Sequence, residues 1–144
     1  MVLRLTLILL LVMTVNVATA KEVQCLADMA YIEARGEGPR GIKAVTDVMF
    51  NRIKSPKFPS TVCSNYYKRG QYERAGAINK TPGVRQTEAY KRVLNQVSSE
   101  YKSFINGTTH KDSVNGALFF NATGNNPIRK VSYRMRLGSH HFYR

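Results

Sequence analysis

The chain has few acidic side chains, no tryptophan and only two cysteines. Nine Asp and Glu stand against 22 Lys and Arg among 144 residues, which gives a formal net charge of +13. Such an excess of positive charge indicates a polyanionic partner, such as nucleic acid, anionic lipid or a cell wall that carries carboxylates or phosphates. A basic surface without a binding role is the alternative. Internal repeats and low-complexity segments are also lacking, and the length fits one globular domain.

The chain also lacks an apolar run long enough to cross a membrane comfortably. The N-terminal apolar segment, residues 5–17, is shorter than the roughly 20 residues that span a bilayer, and it follows a single positive charge at Arg4. Residues 18–20, Ala-Thr-Ala, have the small residues of a signal-peptidase site. We therefore expect residues 1–20 to be a signal peptide, with an uncleaved anchor as the alternative, and residues 21–144 to form one exported domain.

Export permits a disulfide between Cys25 and Cys63, the only two cysteines. In the chain-entropy model, closing the loop between them would stabilise the fold by a few kcal/mol. Two free buried thiols are the alternative. Nothing else in the sequence marks either thiol as an activated nucleophile.

Hydrophobic periodicity predicts that the first part of the domain is helical. Apolar residues recur at helical spacing over residues 21–35 and again over residues 42–53, which predicts two helices joined as a hairpin. Ser60 is the predicted cap of a short third helix. Thr81 is the predicted cap of the longest helix, and Pro82 lies in its first turn.

The last part of the chain has the pattern of short strands. Residues 117–120 are continuously apolar, and residues 131–137 alternate between apolar and polar side chains. Residues 140–144 follow a glycine and are the third predicted strand. The predicted fold class is therefore α+β, mainly helical, with a small C-terminal antiparallel sheet.

Glu33 is the acidic residue whose position best suits proton transfer. It lies three residues after Ala30, at the edge of the apolar stripe of the first predicted helix, so its side chain should be partly buried. Gly36 ends that helix within one turn, and both desolvation and the negative end of the helix dipole raise the pKa of a carboxyl group there. A carboxyl group that donates a proton needs this shift. A salt bridge from Glu33 to Arg35 or Arg40 is the alternative.

Several blocks of the sequence, in order, are similar to one known family. The first block is Tyr-Ile-Glu-Ala-Arg-Gly-Glu-Gly, which contains Glu33, and the second begins with Asn-Arg-Ile-Lys-Ser-Pro. In full, the blocks cover residues 31–38, 51–63, 67–72, 117–121 and 137–144. Together they resemble the cell-wall hydrolase family of spore cortex-lytic enzymes, and the similarity extends from about Cys25 to the C-terminus.

The resemblance implies a lysozyme-like helical core and a glycosidase that cleaves peptidoglycan between N-acetylmuramic acid and N-acetylglucosamine. Glu33 matches the family's catalytic glutamate, which in a lytic transglycosylase acts as acid and then as base. A two-carboxylate muramidase would need a partner roughly 5 Å away for retention or about 6.5 to 9.5 Å away for inversion. Glu37 is the candidate second carboxylate, although Gly36 and Gly38 argue against one helix that carries both side chains.

The resemblance also implies a set of substrate-binding residues, whose amide and aromatic groups can hydrogen-bond to sugars and pack against them. Many members of the family have histidine at the position of Asn121. Because asparagine does not titrate, an acid–base role at this position is excluded. The family often has tryptophan near the position of Glu73, and its absence here removes an indole surface for sugar stacking. The predicted substrate-binding residues are Gln71, Tyr72, Tyr67, Asn121 and His140.

The remaining titratable side chains have weaker support. Asp47 and Glu73 are weaker candidates for a second carboxylate, and each is predicted to be a surface charge. His110 and His141 are predicted surface or core histidines. No recognised metal-ligand spacing is present, so we expect no metal and no cofactor, which argues against a basic nuclease.

The expected protein is a monomer that binds peptidoglycan glycan strands and the anionic cell-wall surface, without nucleic acid. It would be secreted across the inner membrane to the periplasm or cell wall, and it would contact the membrane only through residues 1–20 if they are retained. A non-catalytic wall-binding module is the alternative to an enzyme.

Overall fold

The computed structural model describes residues 19–107 and 109–144. The predicted signal peptide lies almost entirely outside these residues, so it stays a prediction. Among the described helices, none has the length and apolar character needed to cross a bilayer.

Helices make up about half of the described chain and form its first part. Helix α1 covers residues 19–34, helix α2 is Gly38–Lys54 and the short helix α3 is Val62–Tyr66. Helix α4 is Glu88–Asn106. The four helices that the sequence predicts are therefore present, and α1 and α2 follow each other across a tight turn.

The start of α3 differs from the prediction by one residue. Thr61, not Ser60, is the cap, because the Thr61 side chain accepts a hydrogen bond from the Ser64 amide at 3.2 Å. A carboxylate from α1 also caps this helix, since Glu22 accepts from the Val62 amide at 2.6 Å. The predicted cap was wrong by one residue because Ser60 and Thr61 are adjacent and both residue types cap helices.

The start of α4 is also later than predicted. Gly83 adopts a φ of +79°, and the single 3₁₀ turn Val84–Gln86 separates it from the helix. Thr87 then caps α4 by accepting from the Tyr90 amide at 3.2 Å. The prediction that this helix begins at Thr81 is wrong, because the left-handed glycine ends any helical path there.

A three-stranded antiparallel sheet closes the fold, as predicted. Strand β1 is Phe119–Ala122, β2 is Tyr133–Leu137 and β3 is His140–Tyr143. The strand order is β1-β3-β2, so the C-terminal strand lies in the middle. The expected α+β class is confirmed.

Helix α2 is the central element because it packs on both sides. Val45 joins the larger core cluster with Leu26 of α1 and Tyr90 of α4. Val48 lies in a second cluster with Phe142 of β3, which joins the helical part to the sheet. The sheet and the end of α1 are thereby brought to the same side of the molecule.

Cys25 and Cys63 form the expected disulfide, with their Cα atoms 5.3 Å apart. The bridge joins α1 to α3, next to the contact between Glu22 and the start of α3. Two links therefore hold the helix that carries Glu33 against the body of the domain.

Candidate active site

A cavity of about 360 Å³ lies between the end of α1, the end of α2, the loop after α3 and the sheet. Most of the residues that the sequence predicted for the site line this cavity. They are Glu33, Gln71, Tyr72, Asn121 and His140. Since they come from four separate parts of the chain, the fold itself assembles the site.

Glu33 lies in the last turn of α1 and is half-buried. Burial raises the pKa of its carboxyl group, and the nearby Glu73 carboxylate adds to the rise. The Arg74 guanidinium opposes the shift by less than burial raises it, but by more than Glu73 adds to it. Within the described chain Glu33 forms no salt bridge. A carboxyl group of this kind can hold a proton at higher pH than an exposed glutamate and donate it to a bound ligand.

The arginines considered as partners of Glu33 lie elsewhere. Arg35 is exposed and places its guanidinium 4.9 Å from the centre of the Tyr31 ring. Arg40 is exposed in the first turn of α2. The alternative of a structural salt bridge to Glu33 is therefore not found among the described residues.

Glu37 has a different environment and does not line the cavity. Its carboxylate accepts hydrogen bonds from the backbone amide of Ser139, at 3.0 Å, and from the Ser139 hydroxyl. The hydroxyl bond, followed by the amide bond, lowers the pKa of Glu37. A Cβ at either Gly41 or Gly138 would overlap the Glu37 side chain. Glu37 thus joins the start of α2 to the turn between β2 and β3.

Tyr72 forms part of the cavity wall and is only 7% exposed. Burial raises the pKa of its hydroxyl to about 12, so the hydroxyl is protonated at any physiological pH. Its ring lies 5.3 Å from the guanidinium carbon of Arg52. Arg52 is itself 4% exposed, and its Nε donates to the Leu118 carbonyl at 2.7 Å.

Asn121 and His140 reach the cavity from the sheet. The Asn121 amide donates to the Asn126 carbonyl at 2.8 Å, which orients its side-chain oxygen away from that loop. His140 packs edge-on against Phe120 with ring centres 5.2 Å apart. Burial lowers the pKa of His140, partly opposed by the Glu37 carboxylate, which favours the neutral imidazole.

Tyr67 is the predicted binding residue that does not line the cavity. It is 49% exposed, and its hydroxyl accepts from the Asn79 amide at 3.3 Å. Its ring packs on Tyr66, whose buried hydroxyl accepts from the Gly76 amide at 3.1 Å.

Sequence reasoning missed two charged residues of the cavity wall, Arg52 and Arg74, and gave Glu73 only as a weaker candidate for a second carboxylate. Arg52 lies in a block that resembles the family, but nothing in its position along the chain shows that it is buried. Glu73, predicted as a surface charge, is exposed as expected and yet lies near enough to influence Glu33.

Asp47, Glu100 and His110 are the cluster most like a metal site in the described chain, with ligand atoms within 4.8 Å of one another. The ammonium of Lys43 lies among them, 3.1 Å from Asp47 and 3.3 Å from Glu100. Ser113 also donates to Asp47 through its backbone amide at 2.8 Å. Lys43 therefore supplies a positive charge between the two carboxylates. Asp47 is fully buried, so its prediction as a surface charge is wrong.

The two remaining histidines lie away from the cavity. His110 lies in the core, which is one of the two predicted environments. Its ring packs edge-on against Phe50, with ring centres 5.0 Å apart. His141 packs against Tyr133 on the sheet at 5.7 Å. Neither lines the cavity with Glu33.

A family model described as Cell Wall Hydrolase matches residues 36–143. The chain belongs to the cell wall hydrolase family. The matched range begins three residues after Glu33. It includes every other residue that lines the cavity except Ile32, the neighbour of Glu33. The expected family and the expected class, an enzyme that degrades peptidoglycan, are confirmed for this cell wall hydrolase.

Two solved structures share the fold of this cell wall hydrolase. The catalytic domain of the SleB protein from Bacillus cereus is 22% identical, with a TM-score of 0.63, over 85% of this chain and 89% of that one. The catalytic domain of the germination-specific lytic transglycosylase SleB from Bacillus anthracis is 23% identical, also with a TM-score of 0.63, over 85% and 93%. No curated protein matches the chain.

Proposed function

We propose that this cell wall hydrolase is a lytic transglycosylase that cleaves between N-acetylmuramic acid and N-acetylglucosamine. Glu33 protonates the glycosidic oxygen, and the bond to C1 of the muramic sugar breaks. The Glu33 carboxylate then accepts the proton of the muramic 6-hydroxyl, whose oxygen bonds to C1. The products are a free 4-hydroxyl on one strand and a 1,6-anhydro ring on the other, with no water consumed.

The observation that carries this proposal is the half-buried Glu33 carboxyl on the cavity wall, with its pKa raised by burial. An acid that must give up and regain a proton within one turnover works best with a pKa near the working pH. The resemblance of the Bacillus anthracis structure, named as a lytic transglycosylase, supports the same reaction.

The surroundings of Glu37 support the use of a single carboxylate. A second catalytic carboxylate must face the scissile bond together with the first. Glu37 instead accepts two hydrogen bonds from Ser139 and lies outside the cavity wall. The muramidase mechanism with Glu33 and Glu37 as a pair is therefore the weaker candidate.

A two-carboxylate hydrolase keeps one supporting observation, which is Glu73. It lines the same cavity as Glu33 and is exposed to solvent. If the enzyme were a muramidase, Glu73 rather than Glu37 would be the second carboxylate.

Gln71, Tyr72, Asn121 and His140 are the residues that we propose to contact the glycan strand, because all line the cavity. Tyr67 would contact the strand only beyond the cavity, where its ring is exposed. The net charge of +13 supports attraction of the monomer to the anionic wall.

We also propose cleavage after Ala20 and export of residues 21–144 as the catalytic domain. Glu22 already caps α3, and Cys25 already bonds to Cys63. A chain that begins at Lys21 therefore keeps both of the links that position α1. N-terminal sequencing of the secreted protein would test the cleavage point.

Mass spectrometry of the fragments released from purified peptidoglycan tests the reaction. A lytic transglycosylase releases anhydro ends, whereas a hydrolase releases reducing ends that carry one more water. We expect anhydro ends from the wild type and no release from the variant Glu33→Gln. Reducing ends from the wild type, lost in Glu73→Gln, would instead establish the muramidase.

A further inference from the structure

Three polar side-chain atoms around the cavity have no hydrogen-bond partner in the described chain. They are Nη1 of Arg52, the hydroxyl of Tyr72 and Oδ1 of Asn121. Each of these atoms has almost no solvent-accessible surface in the free protein. All three residues line the same cavity as Glu33. Polar atoms left in this state are destabilising unless a ligand satisfies them.

Arg52 is held in a fixed position with one end of its guanidinium free. Its Nε donates to the Leu118 carbonyl at 2.7 Å. The rings of Phe58 and Phe119 lie 5.1 and 5.7 Å from its Cζ, in addition to the ring of Tyr72. In the described chain no carboxylate forms a salt bridge with it. A buried guanidinium N–H without an acceptor is costly, so the position of Nη1 beside the cavity calls for a ligand that offers an acceptor atom.

Asn121 presents one defined acceptor. Its Nδ2 donates to the Asn126 carbonyl at 2.8 Å, so Oδ1 is the atom without a partner. The three free atoms therefore offer one fixed donor, one hydroxyl that donates or accepts, and one acceptor.

A secondary amide has the complementary chemistry, because its carbonyl accepts and its N–H donates on one planar group. A carboxylate lacks the donor, and an ammonium lacks the acceptor. We propose that Arg52, Tyr72 and Asn121 recognise the 2-acetamido group of an amino sugar in the glycan strand. The acetamido carbonyl accepts from Arg52 and Tyr72, and its N–H donates to Asn121. This assignment rests on the proposed glycan substrate and names the group that the site selects.

Because the three atoms are covered in the free protein, binding requires a small rotation of side chains at the cavity wall. Ligand binding then forms the hydrogen bonds that the free protein lacks. A sugar without the acetamido group leaves all three atoms unpaired and is rejected, which is how buried polar groups produce strong selectivity.

The test uses binding, so that it does not depend on catalysis. Calorimetry would compare a tetrasaccharide of alternating N-acetylglucosamine and N-acetylmuramic acid with the same compound after chemical de-N-acetylation, on a Glu33→Gln background that leaves the ligand uncut. Adding Tyr72→Phe removes only a hydroxyl that has no partner in the protein. We expect about tenfold weaker binding of the acetylated ligand, unchanged binding of the de-N-acetylated ligand, and an unchanged melting temperature.

Tyr66→Phe is the matched control, since it removes a hydroxyl that accepts from the Gly76 amide and does not line the cavity. It should lower the melting temperature and keep the preference for the acetylated ligand. Arg52→Lys keeps the charge but loses the guanidinium fork, and it should also reduce that preference by about tenfold or more.

Equal binding of the two ligands to the Glu33→Gln protein would overturn the proposal, and so would a Tyr72→Phe variant that retains full preference. Failure of the proposed reaction would show differently, as lysis retained by Glu33→Gln. A preference for the acetylated ligand can be measured whatever the outcome for lysis, so the two results are separable.

Discussion

Glu33 and Glu37 are four residues apart and have opposite environments. Glu33 is half-buried on the cavity wall without a salt bridge in the described chain, and burial raises the pKa of its carboxyl group. Glu37 accepts two hydrogen bonds from Ser139, which lower its pKa. One environment favours the protonated acid and the other favours the carboxylate. The difference shows that folding gives the same residue type a raised pKa in one place and a tertiary contact in the other.

The chain direction changes between the two residues. Helix α1 is helical up to residue 34, and Glu37 is the residue immediately before α2. The two side chains therefore do not share a helix face, even though their spacing would allow it in an unbroken helix. The turn at Gly36 therefore separates Glu33, which lines the cavity, from Glu37, which bonds to Ser139.

The largest expected effect is on lysis by substitution of Glu33. Glu33→Gln should reduce the rate about 10³-fold, because loss of the general acid also removes the later base. Glu37→Gln should retain most of the activity and lose about 1 kcal/mol of stability, because one hydrogen bond with Ser139 is weakened. The rate at which purified peptidoglycan loses turbidity measures the first effect, and urea unfolding measures the second. Equal loss of lysis in the two variants would contradict the comparison.

Removal of the disulfide should destabilise helix α1, which carries Glu33, more than the contact between Glu37 and Ser139. Cys25 and Cys63 are 38 residues apart, and closing a loop of this length contributes about 4 kcal/mol in the chain-entropy model. The double variant Cys25→Ser with Cys63→Ser should unfold at a correspondingly lower urea concentration. Hydrogen exchange should increase first in α1, whereas the amide of Ser139 should keep its protection until global unfolding. Early loss of protection at Ser139 would show that the two regions are not separate.

Gly138→Ala should disrupt the contact between Glu37 and the turn that contains Ser139. Gly138 has a φ of +57°, and an added Cβ would overlap the Glu37 carboxylate. We expect a loss of roughly 1 to 3 kcal/mol, which thermal unfolding would measure. Gly83→Ala is the control, because Gly83 also has a positive φ, +79°, and a Cβ there meets nothing within 4 Å. Equal stability of the two variants would argue against a structural role for the Glu37 contact.

The smallest expected effect is on the pH dependence of stability, and its sign differs between the two residues. The pKa of Glu33 is higher in the folded protein, so its carboxyl destabilises the fold progressively as pH rises above the ordinary value of 4.5. The pKa of Glu37 is lower in the folded protein, so it contributes stability above 4.5 that is lost as pH falls.

Urea unfolding of the wild type and the two Gln variants between pH 3 and 8 would measure these opposite slopes. Glu33→Gln should gain stability relative to the wild type as pH rises. Glu37→Gln should lose stability relative to the wild type over the same range. If both variants changed in stability in the same direction with pH, relative to the wild type, the stated difference between Glu33 and Glu37 would be wrong.

Sequence patterns predicted the helices and strands well because each has a strong local signal. The apolar repeat of α1 and the alternation before Leu137 depend only on neighbours in the chain. The predicted start of α4 was wrong because the left-handed conformation of Gly83 competes with a good local start at Thr81. Buried charge was the least predictable property, as Asp47 shows, since its partner Ser113 lies 66 residues away along the chain.

By itself, the sequence determined the helical and strand segments, the pair of cysteines and the place of Glu33 near a helix end. Only the tertiary structure decided that Gln71, Asn121 and His140 share a cavity with Glu33, and that Glu37 bonds to Ser139 instead. It also decided that Arg52 lies buried beside that cavity. The physical reason is that a residue's pKa and hydrogen-bond partners depend on groups brought close by folding, and those groups lie up to about a hundred residues away along the chain.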